Sequence, residues 1–153
     1  MANPSYRADK PTLPAIIRWP LKLLAIAWAS PYTAFGCFVG VVGLCSGGKA
    51  RFRDGAIEFH SGGVEWLLRK VTGFASAMTW GHVILGRSDD LLDACASHER
   101  VHVRQYERWG PFFGPAYLLG SAWAWAKGKR PYYDNPFERE AYEDDARRRR
   151  EAE

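Results

Sequence analysis

The stretch from Leu23 to Gly48 contains no charged residue, and it restricts the fold more than any other feature of the chain. About 20 apolar residues are enough for a helix to cross a bilayer, so the stretch predicts membrane contact in preference to a soluble core helix. Ser30-Pro31 interrupts it. Because serine favours the N-cap of a helix and proline its first turn, the pair predicts two short helices joined at Ser30. We expect an apolar helical hairpin that dips into one leaflet.

Positive charge on both sides of this run supports the hairpin. The flanking residues are Arg18, Lys22, Lys49, Arg51 and Arg53. A hairpin keeps all of them on the cytoplasmic side, where positive charge concentrates, whereas a single straight span would divide them. A single span and a soluble helix stay open as alternatives. Residues 1–12 are expected to form a loose leader, and since no clear cleavage site follows, the run is expected to be retained.

Glycines recur through the second half of the apolar run at spacings of three and four. They are Gly36, Gly40, Gly43 and Gly47. This spacing places small residues on one face of a helix, where a second helix can approach closely.

Length and composition limit the class of protein. The 153 residues fit one main domain, which we expect to cover residues 49–153 after an N-terminal segment of residues 1–48. Three cysteines without a CxxC pair argue against a secreted disulfide framework and favour a cytoplasm-facing protein. The net charge of +4 permits attraction to lipid phosphates. No nucleic-acid partner is expected, because the cationic residues flank apolar segments and no known nucleic-acid-binding motif appears.

Residues 49–60 alternate between polar and apolar side chains around Asp54-Gly55, a dipeptide typical of two-residue hairpin turns. The pattern predicts two antiparallel strands. One face carries Phe52, Ile57 and Phe59, and the other, expected to meet water, carries Arg51, Arg53 and Glu58. Residues 77–85 predict a third strand. The expected fold class is therefore α+β, with a small antiparallel three-stranded sheet.

Three helices are expected after the strands. Ser88-Asp89-Asp90 predicts a capped start and Gly110-Pro111 a stop, so the first should run from about Asp90 to Arg108. Residues 112–126 are uncharged and end near three cationic residues, which is compatible with a helix on the membrane surface or in the core. The last helix is expected to open at Pro136.

His98-Glu99-Arg100-Val101-His102 is an HExxH pattern inside the first of these helices. At about 100° per residue, His98 and His102 lie one turn apart on the same face, so both imidazoles can reach one Zn²⁺. Glu99 is one step away from that face, which places its carboxylate beside a metal-bound water as a general base. The pattern predicts a catalytic zinc site.

A catalytic zinc ion takes three protein ligands and keeps one position open, so a third ligand is needed. The candidates are Glu138, Glu140, Glu143, His60 and His82. Glu138 is preferred because the segment from Asn135 to Tyr142 should be helical and can lie across the HExxH helix. Tyr142 shares the face of Glu138 and is a candidate hydrogen-bond donor to a developing oxyanion; packing between helices is an equally good interpretation.

His98 to Gln105 forms HExxHxxQ and Glu138 to Tyr142 forms ExxAY, and together they resemble the compact gluzincin-type zinc metallopeptidases. The resemblance covers roughly residues 77–146 and implies a minimal zincin-like fold. It implies that His98, His102 and Glu138 bind zinc, that Glu99 is the base, and that the strand around residues 81–85 borders the cleft and holds an extended peptide substrate. The chain departs from many members by carrying Tyr142 where they have aspartate.

Two other functions compete with peptide hydrolysis. A membrane-anchored protein without catalytic activity would use the metal to stabilise the crossing of two helices. A di-iron site is a weaker alternative, because it needs a second Glu-x-x-His motif or many histidines and the chain has four histidines. The expected partners are a peptide or protein substrate and membrane lipid.

Overall fold

The computed structural model describes residues 14–152, and their fold is α+β. The predicted leader of residues 1–12 lies outside the described residues. The elements in chain order are α1 (Ala15–Leu44), β1 (Lys49–Arg53), β2 (Ala56–His60), α2 (Gly62–Val71), β3 (Ala77–Trp80), β4 (Val83–Gly86), α3 (Asp89–Trp109), α4 (Phe113–Ala126) and α5 (Pro136–Ala152). A 3-10 turn at Gly110–Phe112 joins α3 to α4.

The apolar run folds as one continuous helix, α1, so the predicted hairpin at Ser30 is wrong. Pro31 lies inside the helix, where proline removes one backbone hydrogen bond. The helix is packed on both sides of Pro31: the Trp28 ring packs against Gly110 before it, and Gly40 packs against Phe59 after it. Local cap chemistry was therefore overruled by packing along the whole helix.

The glycine face of α1 is used for close approach, but mainly to the sheet. A Cβ atom on Gly40 would come within 2.2 Å of the Phe59 ring, and one on Gly36 within 2.8 Å of Val83. Gly43 does face a helix, because its nearest neighbour is Val64 of α2. Glycine at these positions allows α1 to lie directly on the strands.

The sheet has four strands in the order β1-β2-β4-β3, so the predicted three-stranded antiparallel sheet is wrong. The segment predicted as one strand turns back at Gly81-His82, where Gly81 has a φ of +62°. Positive φ at the first of two central residues is the geometry that favours glycine in a hairpin turn. The pairing of β2 with β4 is parallel, because α2 and β3 carry the chain across before β4 begins.

Helices cover both faces of this sheet. On one face α1 and α2 enclose Phe59, Val83 and Leu85. On the other face α3 packs through Leu92 and Val103 onto a cluster that includes Ile84. Then α5 packs on α3. The HExxH helix is thereby held between the sheet and the C-terminal helix.

Glu58 is fully buried, so the prediction that it faces water is wrong. It accepts hydrogen bonds from Arg51 Nε at 2.6 Å, Arg100 Nη2 at 2.6 Å and Arg53 Nε at 3.3 Å. Alternation had placed these side chains on the correct common face, but α3 covers that face and supplies Arg100. A buried carboxylate is tolerated there because three guanidinium groups surround it.

One helix in the described part of the chain is long and apolar enough to cross a membrane, namely α1 over Trp19–Leu44. Few residues of its most apolar stretch are buried in the protein, and large side chains such as Leu24, Phe38 and Val42 are exposed. A signal sequence or the core helix of a soluble protein also meets the criterion of length and composition.

The cluster of Glu58 and its three arginines is expected to contribute strongly to stability. Glu58→Gln should lower the free energy of unfolding by about 3–5 kcal/mol, because it leaves three arginines next to an uncharged buried partner. Asp89→Asn is the matched control, since Asp89 also pairs with Arg51 but its side chain is 59% exposed. Urea unfolding in detergent measures both variants, and equal losses would contradict a special role for Glu58.

The same cluster predicts acid sensitivity. Burial alone would raise the pKa of Glu58, but hydrogen bonds from Arg51 and Arg100 outweigh it and hold the pKa below its ordinary value of 4.5. A group with a lowered pKa in the folded state stabilises the fold at higher pH. We expect this stabilisation to disappear as the pH falls from 4.5 through the lower folded-state pKa. Unfolding midpoints should therefore fall more steeply with acid in wild type than in Glu58→Gln; parallel curves would contradict the prediction.

Candidate metal centre

The helix that carries HExxH has the predicted boundaries to within one residue at each end. At its start the Ser88 side chain accepts a hydrogen bond from the Leu91 backbone N–H, which is the interaction of an N-cap. At its end Gly110 has a φ of +53°, a conformation that terminates the helix. These local signals explain why α3 could be located from the sequence.

The structure brings His98, His102 and Glu138 together. The Nε2 atoms of the two histidines lie 3.2 Å apart. The Glu138 carboxylate approaches with Oε2 at 3.3 Å from His98 Nε2 and Oε1 at 3.5 Å from His102 Nε2. Bonds of about 2.0–2.2 Å to a tetrahedral zinc ion require ligand atoms about 3.3–3.6 Å apart. The three side chains therefore have the spacing of a set that could hold one metal ion.

Glu138 supplies independent support for a cation. Its side chain is almost completely buried, and Tyr117 Oη donates a hydrogen bond to Oε1 at 2.7 Å. Its Oε2 atom is inaccessible to solvent and has no hydrogen-bond partner of acceptable geometry. A buried carboxylate oxygen without a partner is costly, and a cation beside the two imidazoles would satisfy it.

Negative charge surrounds the histidines of the cluster. Burial alone would lower the pKa of His98, but the carboxylates of Glu138, Glu99 and Asp145 outweigh it and raise this pKa. Burial alone would raise the pKa of Glu138, but the neighbouring His98 and His102 and the hydrogen bond from Tyr117 lower it. The site therefore favours positive charge between its ligands, and a metal ion would bind there in place of a proton.

A second layer of side chains orients the histidines. His102 Nδ1 lies 2.8 Å from Gln105 Oε1, and the Gln105 amide donates to the Phe137 carbonyl at 3.0 Å and to Glu140 at 2.9 Å. On the other side Asp145 Oδ2 lies 3.6 Å from His98 Nδ1. Such partners fix the orientation of metal-binding imidazoles. Gln105 therefore ties the HExxH helix to α5.

Gln105 and Asp145 had no predicted role, although their spacing contained a signal. Gln105 follows His102 by three residues, and Asp145 follows Glu138 by seven, so each shares a helix face with a candidate ligand. Tyr117 carried no signal, because only the contact between α4 and α5 brings it to Glu138.

Glu99 lies beside the cluster and is buried. Its Oε2 accepts a hydrogen bond from Thr79 Oγ1 at 2.6 Å, which fixes the carboxylate relative to β3. Glu99 lines a cavity of about 620 Å³ together with His102 and Glu138. A volume of this size is typical of small-molecule and substrate sites.

All of β3 borders this cavity, and β3 is an edge strand of the sheet. The resemblance predicted that residues 81–85 border the cleft, but β4 lies inside the sheet between β2 and β3. The Arg87 N–H donates to the Ser76 carbonyl, so these two residues form a hydrogen-bonded pair. In an antiparallel hairpin such pairs alternate with pairs that are not hydrogen-bonded, and Ala77 and Thr79 belong to the latter. The backbone groups of Ala77 and Thr79 therefore point toward the free edge.

The cavity wall is mainly apolar and includes four tyrosines that had no predicted role, and two of these, Tyr117 and Tyr132, lie close to Glu138. Burial and the negative charge of Glu138 raise the pKa of both phenols, so both stay protonated and can donate hydrogen bonds. Tyr142 is not among the cavity-lining residues; its ring packs against His98 with centroids 4.8 Å apart and is 40% exposed.

The other candidate ligands have different partners. Glu140 accepts hydrogen bonds from Gln105 and Arg108, and Glu143 is exposed. His82 Nε2 lies 3.0 Å from Glu107, and His60 Nδ1 lies 3.1 Å from Ser61 Oγ. None of these four joins His98 and His102 in the described cluster.

The cluster predicts that Glu138→Gln will weaken metal binding strongly while Glu143→Gln leaves it unchanged. Even partners outside the coordination shell are worth about 10- to 100-fold in metal affinity, so loss of a ligand should cost at least about 100-fold. Metal content after dialysis against a graded chelator measures the affinity in detergent-solubilised protein. Equal metal retention by the two variants would exclude Glu138 as a ligand.

Comparisons with known proteins add no identification. The chain matches no family model, no curated protein and no solved structure. The resemblance to gluzincin-type peptidases therefore stays a prediction. The geometry of the cluster and the cavity is the basis for a proposed function.

Proposed function

We propose that the protein is a membrane-associated zinc metallopeptidase that hydrolyses peptide bonds. The observation that carries the proposal is the triangle of His98, His102 and Glu138 beside a cavity that Glu99 also lines. Three ligands leave a tetrahedral ion with one open position, which is the composition of catalytic rather than structural zinc sites. Two imidazoles and one carboxylate are ligands that suit zinc.

In this proposal His98, His102 and Glu138 hold the zinc ion and Gln105 and Asp145 keep the imidazoles in position. Bound zinc would polarise a substrate carbonyl and make a water molecule acidic enough to attack it near neutral pH. Glu99 is the general base. Its carboxylate is held by Thr79 through one oxygen, so the other is available to accept a proton and later return it to the leaving amine.

A tyrosine is proposed to donate a hydrogen bond to the oxygen that becomes negatively charged. Tyr142 remains the candidate from the sequence, but Tyr132 lines the cavity and Tyr142 does not. The Tyr132 hydroxyl is protonated at neutral pH, as in any tyrosine, and burial near Glu138, which raises the pKa of Tyr132, extends this state to higher pH. Tyr132 is therefore the better placed donor.

A peptide substrate fits the free edge of β3. The outward backbone groups of Ala77 and Thr79 can pair with an extended chain, as in other cases of strand addition. Thr79 also contacts Glu99, so a peptide paired there would lie next to the proposed base. The apolar surface of α1 supports membrane association. The three cysteines are free, which favours a metal site on the cytoplasmic side.

The test of the proposed function is Glu99→Gln. This variant should keep its zinc but lose hydrolysis by about 10²- to 10⁴-fold, the usual contribution of a general base. The probe is a library of internally quenched peptides with bulky apolar residues, assayed with detergent-solubilised full-length protein. His98→Ala should lower both the metal content and the unfolding temperature.

Glu143→Gln serves as the control, because it makes the same chemical change at an exposed position of α5. Equal hydrolysis by wild type and Glu99→Gln would exclude the proposed base. Stoichiometric zinc without hydrolysis in wild type would instead favour a non-catalytic metal-binding protein.

A further inference from the structure

The cavity beside Glu99 has an apolar mouth. Its exposed lining residues are Phe74, Pro115 and Leu118, and Phe74 and Leu118 are 62% and 69% exposed. Glu99 and His102, which line the same cavity, are buried. Because exposed lining residues mark the rim and buried ones the floor, the mouth lies between the segment after α2 and the first turns of α4.

An exposed apolar face of α4 begins at this mouth. Pro115, Leu118, Ala122 and Trp125 follow one another at spacings of three and four, so they lie on one side of the helix. All four are exposed, and Trp125 is 72% exposed. No charged residue occurs anywhere in α4. A contiguous apolar surface of this kind marks a contact with another phase or molecule.

This α4 face continues onto α1. The Trp28 ring of α1 lies 5.9 Å from the Phe112 ring at the start of α4, and the two side chains are 45% and 62% exposed. The apolar surface therefore joins the mouth of the cavity to the helix that is long and apolar enough to cross a membrane.

Positive charge borders the far end of the α4 face. Lys127 and Lys129 follow Trp125 directly, and Lys129 Nζ lies 5.7 Å from the centroid of the Trp123 ring. Tryptophan beside lysine is typical of the headgroup region of a bilayer, where anionic lipids attract the cations. These lysines favour an anionic lipid surface over a second copy of the chain, because a second copy would bring the same positive charges close to them.

We infer that the α4 face docks on an anionic bilayer and holds the mouth of the cavity at the lipid surface. The substrate would then be an apolar segment of a membrane-bound polypeptide, which enters from the interface. None of the described residues that line the cavity is lysine or arginine, and Glu99 and Glu138 disfavour an acidic segment. The inference rests on the proposed function and adds a second membrane contact and a source of substrate.

The test places a fluorescent label on the α4 face of the full-length protein. Ala122→Cys is made after Cys37, Cys45 and Cys95 are changed to alanine, and the labelled protein is reconstituted in vesicles of phosphatidylcholine and phosphatidylserine. Lipids with brominated acyl chains quench only labels that touch them. Ala94→Cys is the matched control. Ala94 is an exposed alanine on α3, and it lies about 22 Å along that helix from Trp109, the end that leads into α4.

We expect the label at residue 122 to lose most of its fluorescence to brominated lipid and the label at residue 94 to keep nearly all of it. Equally weak quenching at both positions would overturn the inference. So would a label at residue 122 that is shielded from aqueous iodide but insensitive to bromine, since another protein chain would then cover it. Vesicle binding and Glu99-dependent hydrolysis are measured on the same preparation. Loss of hydrolysis with quenching intact would count against the proposed function and not against the docking of α4 on lipid.

Discussion

The packing of α3 between the sheet and α5 is the constraint on which the candidate centre depends. On the sheet side Arg100 donates to buried Glu58, and Glu99 is held by Thr79 of β3. On the other side the Gln105 amide donates to the Phe137 carbonyl of α5. These contacts set the distance between two segments of the chain, so that Glu138 meets two histidines more than 30 residues earlier. Without the packing on both sides of α3, the HExxH helix would carry two imidazoles and no third ligand.

Two of the buried carboxylate groups in the described part of the chain are neutralised in different ways. Glu58 is surrounded by arginines from β1 and α3, so its charge is compensated within the protein. Glu138 faces two histidines and the Tyr117 phenol, surrounds His98 together with Glu99 and Asp145, and has one oxygen without a hydrogen-bond partner. A buried negative charge requires a compensating positive charge. That difference is the physical reason why the second group, and not the first, is a candidate for a metal ion.

The parts of the site that could be predicted depend on neighbours in sequence. Ser88 and Gly110 mark the ends of α3, and a four-residue spacing places His98 and His102 on one face of it. Glu138 was preferred because a helix opening at Pro136 could lie across α3, and the structure brings its carboxylate to both imidazoles. The roles of Gln105 and Asp145 needed the fold, because sharing a helix face with a predicted ligand does not fix which side chain reaches an imidazole.

The sequence by itself determined the α+β class, the boundaries of α3 and the pairing of two histidines, since caps, turns and helical periodicity act over a few residues. Only the tertiary structure decided that α1 crosses Pro31 without a hairpin, that residues 77–86 fold into two strands and that Glu58 is buried. For α1 and Glu58 a contact with a distant element outweighed a local preference, because packing an entire helix or sheet face contributes more free energy than one cap or one proline. Residues 77–86 instead contain a local turn at Gly81-His82, which their apolar run concealed. The cavity has the same origin, since its walls come from α1, β3, α3 and α4, and no single segment encodes it.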